Sequence, residues 1–372
     1  MNGNNIKRND SVIRSRKKTA TTVLRVLMGV LFIFSGLVKL NDPLGLVFKI
    51  QEYFSEGVFN IPLPFTLIVD GAGTLITFEI VLGALLIMGR FKIFTLWSVL
   101  LLNAGFFFLT LYSAVTGKVP DCGCFGDAVH LSPWVSFAKN VLILAAIVVL
   151  IMWQRFIKPI VGFRKTMSIL ALIFAFSIGV IYYVLRYEPV IDFRPYKVGV
   201  NIPEAMQMPE GEDRPVFGHV WVYRVDGRDK KFTDQDEPWN IEGAEFVSRQ
   251  TKLLSGKLPQ ITGFSVMSPD GEDISDSLLA MDHVLLVTCF DLKASRAENW
   301  ERMNAYIREK GVPAFVLADT DDAELIRERG IVVPVCFTDP ITVKTILRSN
   351  PGVMELEKGT ITDKRSCFNL GR

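Results

Sequence analysis

Residues 23–40 have the sequence VLRVLMGVLFIFSGLVKL, an apolar run long enough to cross a bilayer as one helix. The hydrocarbon core of a membrane is about 30 Å thick, and a helix spans it with about 20 residues. Further runs along the chain pass the same test. The predicted spans are Val23–Leu40, Thr66–Met88, Ile93–Val115, Pro133–Trp153 and Ser168–Leu185. We therefore predict a membrane α-helical bundle of about five transmembrane helices, in contact with lipid, followed by a soluble domain.

The basic residues of the loops predict the orientation of these spans. Lysine and arginine are concentrated in the N-terminal tail, in the turn after the second span and in the loop after the fourth, whereas the remaining two loops carry only Lys49 and Lys118. Cytoplasmic loops are enriched in basic residues. An odd number of spans then places the chain after about Arg186 outside. We predict a multi-pass protein of a bacterial inner membrane, with a cytoplasmic N-terminus and a periplasmic C-terminal domain.

Composition limits the class of function. Lysine and arginine total 41 and aspartate and glutamate total 39, so the formal net charge is only +2. A protein that binds nucleic acid through a general basic surface carries a larger excess of positive charge. Five cysteines in 372 residues are too few for a disulfide scaffold. We predict no nucleic-acid partner.

Several predicted spans contain ionisable or amide side chains, which are costly in lipid and usually face the interior of a bundle. We predict that they meet in a polar pocket, with Lys39 paired with Asp70 at similar depth and Glu79 paired with Asn103. Two interpretations remain open: interhelical bonds that hold the helices together, or a pocket that takes a small head group such as a quinone. The predicted pocket residues are Lys39, Asp70, Glu79, Asn103 and Lys139.

Cys122 and Cys124 lie in the loop between the third and fourth spans, within Pro-Asp-Cys-Gly-Cys-Phe-Gly-Asp at 120–127. Extracytoplasmic cysteines meet an oxidising environment. A disulfide between residues separated by one glycine closes a small, strained ring, and such disulfides exchange readily. We predict a redox pair. A static staple, a partial metal site with His130 and pairing with a cysteine of the C-terminal half are the alternatives. Zinc needs about four ligands, and no fourth lies nearby, so no metal is predicted.

The first two spans and the cysteine loop resemble known membrane families. The run Phe34–Pro43, FSGLVKLNDP, resembles the first helix of the DoxX and MauE families, and Glu79 fits their pattern. The Cys-Gly-Cys-Phe-Gly loop is similar to that of MauE in particular. The resemblance covers about residues 20–153. It implies a four-helix core, a role in maturing a disulfide-rich partner, as in methylamine utilisation, or a quinone-linked oxidation. The architecture also resembles vitamin K epoxide reductase, by analogy alone.

The C-terminal half has a different pattern. Val284–Phe290 is typical of a buried strand, Ala294–Lys310 of an amphipathic helix and Ala314–Ala318 of a second strand. These elements are followed by a helix at 321–329 and a hairpin at 352–361. They are preceded by a strand that turns back on itself at 219–232. This order resembles the thioredoxin fold of the TlpA-like group, and Pro351 matches the cis-proline position of that fold.

The C-terminal half lacks the redox motif of the thioredoxin-like proteins that it resembles. Where relatives place Cys-x-x-Cys after the first core strand, this chain has Asp291-Leu292-Lys293-Ala294-Ser295. A dithiol mechanism in this domain is therefore not expected. Cys289 and Cys336 lie in apolar strands and are predicted to be packed side chains. Cys367 lies near the end of the chain, where we expect an exposed thiol able to pair with another.

These observations predict a domain organisation and two functions. The predicted segments are a cytoplasmic basic tail at 1–20, a DoxX/MauE-like four-helix membrane domain at 21–155, a cytoplasmic loop and fifth helix at 156–187, a β-rich linker at 188–258, and a thioredoxin-like domain without Cys-x-x-Cys at 259–372. The first function is a thiol–disulfide maturation factor acting on an extracytoplasmic protein client, with a quinone as possible electron acceptor. The alternative is a non-enzymatic scaffold of a respiratory or envelope complex. The sequence identifies neither the client nor the oligomeric state.

Overall fold

A computed structural model describes residues 3–119, 126–129, 131–208, 211, 213–225, 227–241, 243–320 and 322–370, with side chains from Val12 onward apart from residues 127, 248, 250 and 252. The chain divides into two compact units, Met1–Phe193 and Arg194–Arg372. Each unit has its own hydrophobic core. The boundary follows the last long apolar helix, so the units are a helical unit and an α/β unit.

The first unit is built from long apolar helices. They are α1 (Gly3–Asn41), α2 (Pro43–Phe54), α3 (Phe65–Met88), α4 (Lys92–Thr116), α5 (Pro133–Met152) and α6 (Phe163–Arg186). Within the described residues, five helices are long and apolar enough to cross a membrane, and they match the five predicted spans. The short helix α2 was not predicted. Asp42 begins it by accepting a hydrogen bond from the Gly45 backbone at 3.1 Å, and Pro43 stands at its first position.

Helices α1 and α3 pack at very short distance because glycines face each other across the contact. A Cβ added to Gly83 would lie 2.7 Å from the Gly29 carbonyl oxygen and 2.9 Å from the Ile33 backbone nitrogen. A Cβ added to Gly36 would lie 2.5 Å from Ile80 Cγ1. Small residues allow helix backbones to approach closely in membranes. This approach brings the polar side chains of α1 and α3 together further along the same interface.

The second unit contains two β-sheets. The first has order β2-β1-β3, formed by β1 (Val216–Val225), β2 (Arg228–Thr233) and β3 (Glu245–Ser255), all antiparallel. The second has order β4-β7-β6-β5-β8-β9. Its strands are β4 (Val266–Met267), β5 (Val284–Cys289), β6 (Ala314–Ala318), β7 (Val335–Thr338), β8 (Gly352–Glu357) and β9 (Thr360–Ser366). The helices of this unit are α7 (Ile202–Ala205), α8 (Ser275–Leu279), α9 (Ala297–Lys310), α10 (Ala323–Glu328) and α11 (Pro340–Ile346).

The six-stranded sheet has the arrangement expected of a thioredoxin-like domain. β5 and β6 are parallel and joined through α9, while β8 runs antiparallel to β5 and forms a hairpin with β9. The peptide bond between Asn350 and Pro351 is cis, at the predicted position. All residues of β5 are buried, since the sheet is covered on both faces. The predicted fold class, a membrane helical bundle followed by a thioredoxin-like α/β domain, is confirmed.

Candidate functional site

A buried ion pair lies between α1 and α3. The Lys39 Nζ atom is 2.7 Å from Glu79 Oε2, and the two side chains are only 2% and 5% exposed. Lys39 also donates to Ser35 Oγ at 3.1 Å, one helical turn earlier. Its Nζ lies 5.0 Å from the centre of the Phe106 ring of α4. The ammonium group therefore has an anion, a hydroxyl and an aromatic face around it, which is how a buried charge is compensated.

A second set of hydrogen bonds joins α4 to α5 beside this pair. Asn103 donates its amide to the Asn140 backbone oxygen at 3.2 Å, and Asn140 donates its own amide to Thr110 Oγ1 at 3.1 Å. Both asparagines are buried. Lys39, Glu79, Asn103 and Asn140 thus come from the four helices that carry the family resemblance.

These side chains surround one small cavity of about 30 Å³. A cavity of this volume has room for about one water molecule. Four of the five predicted pocket residues line it: Lys39, Glu79, Asn103 and Lys139. The cavity does not admit a six-membered ring, so in this structure it is not a receptor for a quinone head group.

The predicted pair between Lys39 and Asp70 is wrong. Lys39 bonds to Glu79 instead, and Asp70 is exposed. Asp70 lies on α3 about 13 Å nearer the helix N-terminus than Glu79, since a helix rises about 1.5 Å per residue. The close approach of α1 and α3 places Glu79, and not Asp70, at the depth of Lys39.

Cys122 and Cys124 lie outside the described residues, as does His130. The chain is described on both sides of this segment. Val119 is fully buried, and its carbonyl accepts a hydrogen bond from the Ser113 hydroxyl. The short 3-10 turn Gly126–Ala128 packs against α1 and α2, with Gly126 beside Val38. The cysteine segment therefore begins and ends at one end of the bundle, and Val38 is the direct neighbour of Lys39.

The other three cysteines are buried free thiols. Burial raises the pKa of the Cys289 thiol to about 12, and it raises the pKa of Cys336 and of Cys367 as well. Since the thiolate is the nucleophile, these residues are poor partners for exchange at neutral pH. The prediction that Cys367 is exposed is wrong: it is 1% exposed because it packs into the core against α9.

The position that holds Cys-x-x-Cys in thioredoxin relatives is closed by hydrogen bonds. Asn350, just before the cis-proline, donates to the Asp291 backbone oxygen at 2.6 Å and accepts from the Asp291 backbone nitrogen at 3.4 Å. Ser295 donates to the Leu292 oxygen at 2.7 Å and accepts from the Trp300 indole at 2.9 Å. These contacts hold the loop without a Cys-x-x-Cys pair. Among the described residues, no group of three His, Cys, Asp or Glu side chains could hold a metal ion.

The predicted site set omitted six of the residues that line the cavity, among them the polar Ser35 and Asn140 and the aromatic Phe106. Ser35 could have been found from the sequence, because it stands four residues before Lys39 and therefore on the same helix face. Asn140 could have been found in the same way, as an amide within an apolar span. Phe106 is one of many aromatic residues in its helix, so no pattern distinguishes it.

Comparison with known proteins finds a family model that matches most of the helical unit. Residues 17–154 match the family model of the methylamine utilisation protein MauE, a region that contains α3 to α5 and most of α1. No curated protein sequence matches the chain. A solution structure provisionally described as a protein disulfide isomerase, from Bacteroides thetaiotaomicron, is 14% identical, covers 29% of this chain and 77% of its own, and gives a TM-score of 0.24. The match confirms the predicted MauE-like resemblance of the membrane core.

Proposed function

We propose that this chain, whose residues 17–154 match the MauE family, is a membrane thiol–disulfide factor that matures an extracytoplasmic protein client. The observation that supports the proposal is the position of the residues on either side of the cysteine segment. Buried Val119 precedes the segment, and Gly126 follows it beside Val38, the neighbour of Lys39 in the Lys39–Glu79 pair. Cys122 and Cys124 are the reacting residues.

The exchange proceeds in two displacement steps. A client thiolate attacks one sulfur of the Cys122–Cys124 disulfide, which forms a mixed disulfide and releases the other cysteine as a thiolate. A second client thiolate attacks the client sulfur of that mixed disulfide, which forms the client disulfide and releases the remaining cysteine. Two electrons pass from client to protein. Two protons from water convert the released thiolates to thiols.

A quinone is the proposed acceptor that restores the disulfide. It takes two electrons and two protons from the dithiol and leaves as the hydroquinone. The polar cavity is too small for its ring, but an apolar groove of about 370 Å³ lies between α3 and α4. Phe106 lines both this groove and the polar cavity. In this arrangement the quinone ring stays in the groove, and Phe106 separates it from the Lys39–Glu79 pair.

The α/β domain is proposed to bind the client without exchanging electrons. Its thioredoxin-like fold has no Cys-x-x-Cys, and the Asp291–Asn350 bonds occupy that position. Its three cysteines are buried with raised pKa values. These facts support a domain that keeps the thioredoxin-like fold for binding and has lost its redox chemistry.

Trapping of mixed disulfides tests the proposal. In Cys122→Ala and in Cys124→Ala the remaining thiolate can attack the disulfide of the oxidised client, which is the reverse of the second step and releases one client thiolate. We expect the resulting mixed disulfide to accumulate, because no second cysteine is present to displace the client, and a reducing agent should cleave the complex. Cys336→Ala is the matched control, because it removes a buried thiol of the other unit and should leave the pattern unchanged. The measurement is non-reducing electrophoresis after acid quenching and alkylation. No trapped complex in either variant, with normal client maturation in the double variant, would favour the scaffold function.

A further inference from the structure

A basic groove lies where α1 meets the 3-10 turn Gln154–Phe156 that follows α5. It has a volume of about 370 Å³ and is lined by Ile13, Arg14, Lys17, Arg155 and Phe156. Arg14 and Lys17 are three residues apart on α1, so they lie on one helix face. The Arg155 guanidinium lies 4.9 Å from the centre of the Phe156 ring. Among the side chains that the structure describes, no acidic one lines the groove, so three cations face whatever occupies it.

An apolar groove lies between the same two parts of the chain, α1 and the end of α5. It has a volume of about 740 Å³. Its walls are Ala20, Val23, Leu24 and Leu27 of α1, with Val149 and Trp153, and Ser15, Arg16 and Thr19 complete the lining. Val23 and Leu27 are 52% and 62% exposed. The apolar wall of α1 begins at Ala20, three residues after Lys17, and continues about 10 Å toward the centre of the predicted span.

The charge of this end of the molecule is not balanced by the protein itself. In the sequence, residues 11–41 and 128–187 contain no aspartate or glutamate, and Asp10 is the single acidic residue of the basic tail. Asp10 contributes one negative charge, against six lysine and arginine residues in the same tail. Lys17 also marks the depth of the membrane surface, since the apolar run that follows it is about the length of the hydrocarbon core.

We propose that the two grooves together bind one anionic phospholipid from the leaflet that contains the N-terminal end of α1. The phosphate accepts hydrogen bonds from Arg14, Lys17 and Arg155, and an acyl chain lies along the apolar wall from Ala20 to Leu27. A phosphodiester matches three converging cations at the level of the head groups, and an acyl chain matches an apolar channel that starts at the same place. The proposal is independent of the thiol chemistry at the opposite end of α1.

The test measures the thermal stability of the purified full-length protein in a neutral detergent with added lipid. Phosphatidylglycerol should raise the melting temperature more than phosphatidylcholine, and glycerol phosphate without acyl chains should not. The triple variant Arg14→Gln, Lys17→Gln, Arg155→Gln should need at least about tenfold more phosphatidylglycerol for the same shift. The double variant Arg164→Gln, Lys165→Gln is the matched control, because these exposed basic residues follow α5 but do not line either groove.

A second variant tests the apolar groove. Ala20 is exposed, so Ala20→Trp fills the channel without disturbing the helix interior, and it should weaken the response to phosphatidylglycerol while leaving the unliganded melting temperature unchanged. The proposal is overturned if the triple variant responds like the wild type. It is overturned equally if glycerol phosphate gives the full shift, which would mean a simple phosphate site, or if Ala20→Trp has no effect.

Discussion

The ion pair of Lys39 and Glu79 shows at residue scale what the sequence could and could not predict. The need for a partner was predictable, since an unpaired lysine inside a span is costly. The identity of the partner was not, because it depends on how closely α1 and α3 approach. Glycines at that contact determine how closely the two helices approach. Which residues of α1 and α3 then lie at the same depth depends on how the two helices pack, so neither span alone reveals it.

Loss of one member of this pair should destabilise the helical unit strongly. Lys39→Met leaves the Glu79 carboxylate buried without its cation, and removal of one partner of a buried pair costs about 3–5 kcal/mol. Glu79→Leu leaves the ammonium in the same position. The double variant should recover most of this loss, because no charge remains buried. Thermal unfolding of the four proteins in the same detergent gives the coupling energy.

Asp70→Asn is the control for this cycle. Asp70 is exposed and does not line the cavity, so we expect a change within about 0.5 kcal/mol. Additive losses in the Lys39 and Glu79 variants would contradict the buried pair.

At the scale of elements, the lengths of the spans followed from hydropathy, but the contacts between helices did not. α2 was missed because its twelve residues follow directly on a span, although the Asp42-Pro43 pair is a helix-start signal. In the α/β unit the core strands were predicted closely, since β5 and β6 are short apolar runs. The third strand of the smaller sheet, β3, was missed. Its described residues are exposed, and its sequence shows little alternation of polar and apolar residues.

The glycine contact of α1 and α3 gives a prediction about element packing. Gly83→Ala places a Cβ within 3.0 Å of two backbone atoms of α1, so the helices must separate. Overpacking of this kind costs about 1–3 kcal/mol. The separation should also weaken the Lys39–Glu79 bond further along the interface. Thermal unfolding of Gly83→Ala measures the sum of the overpacking and the weakened ion pair. The same change made in Lys39→Met, which has no ion pair, measures the overpacking alone.

Gly105 is the matched control, since a Cβ added there in α4 meets no atom within 4 Å. Gly105→Ala should be neutral or stabilising by up to about 1 kcal/mol, because alanine is the better helix former. Equal behaviour of the two variants would mean that the helices do not approach as closely as described.

At the scale of the whole molecule, the number of spans couples the cysteine segment to the α/β domain. Two predicted spans, α5 and α6, separate them, so both should lie on one side of the membrane whatever the absolute orientation. Under the proposed function, that relation would let one client bind the domain and exchange with Cys122 and Cys124. The basic tail and the loop before α6 should lie on the opposite side.

Single cysteine reporters can test this topology in a protein that lacks Cys122 and Cys124. Lys118→Cys reports the loop that contains the cysteines, Lys358→Cys reports the α/β domain, and Lys165→Cys reports the first turn of α6. All three positions are exposed. A membrane-impermeant maleimide should label the first two in intact cells and the third only after lysis. The remaining native thiols are buried and label slowly, so the reporter-free protein sets the background. If Lys118→Cys and Lys358→Cys label on opposite sides, one of the two spans does not cross, and the α/β domain cannot present a client to the cysteine pair. If both label only after lysis, the pair faces the reducing compartment, where its disulfide would not persist.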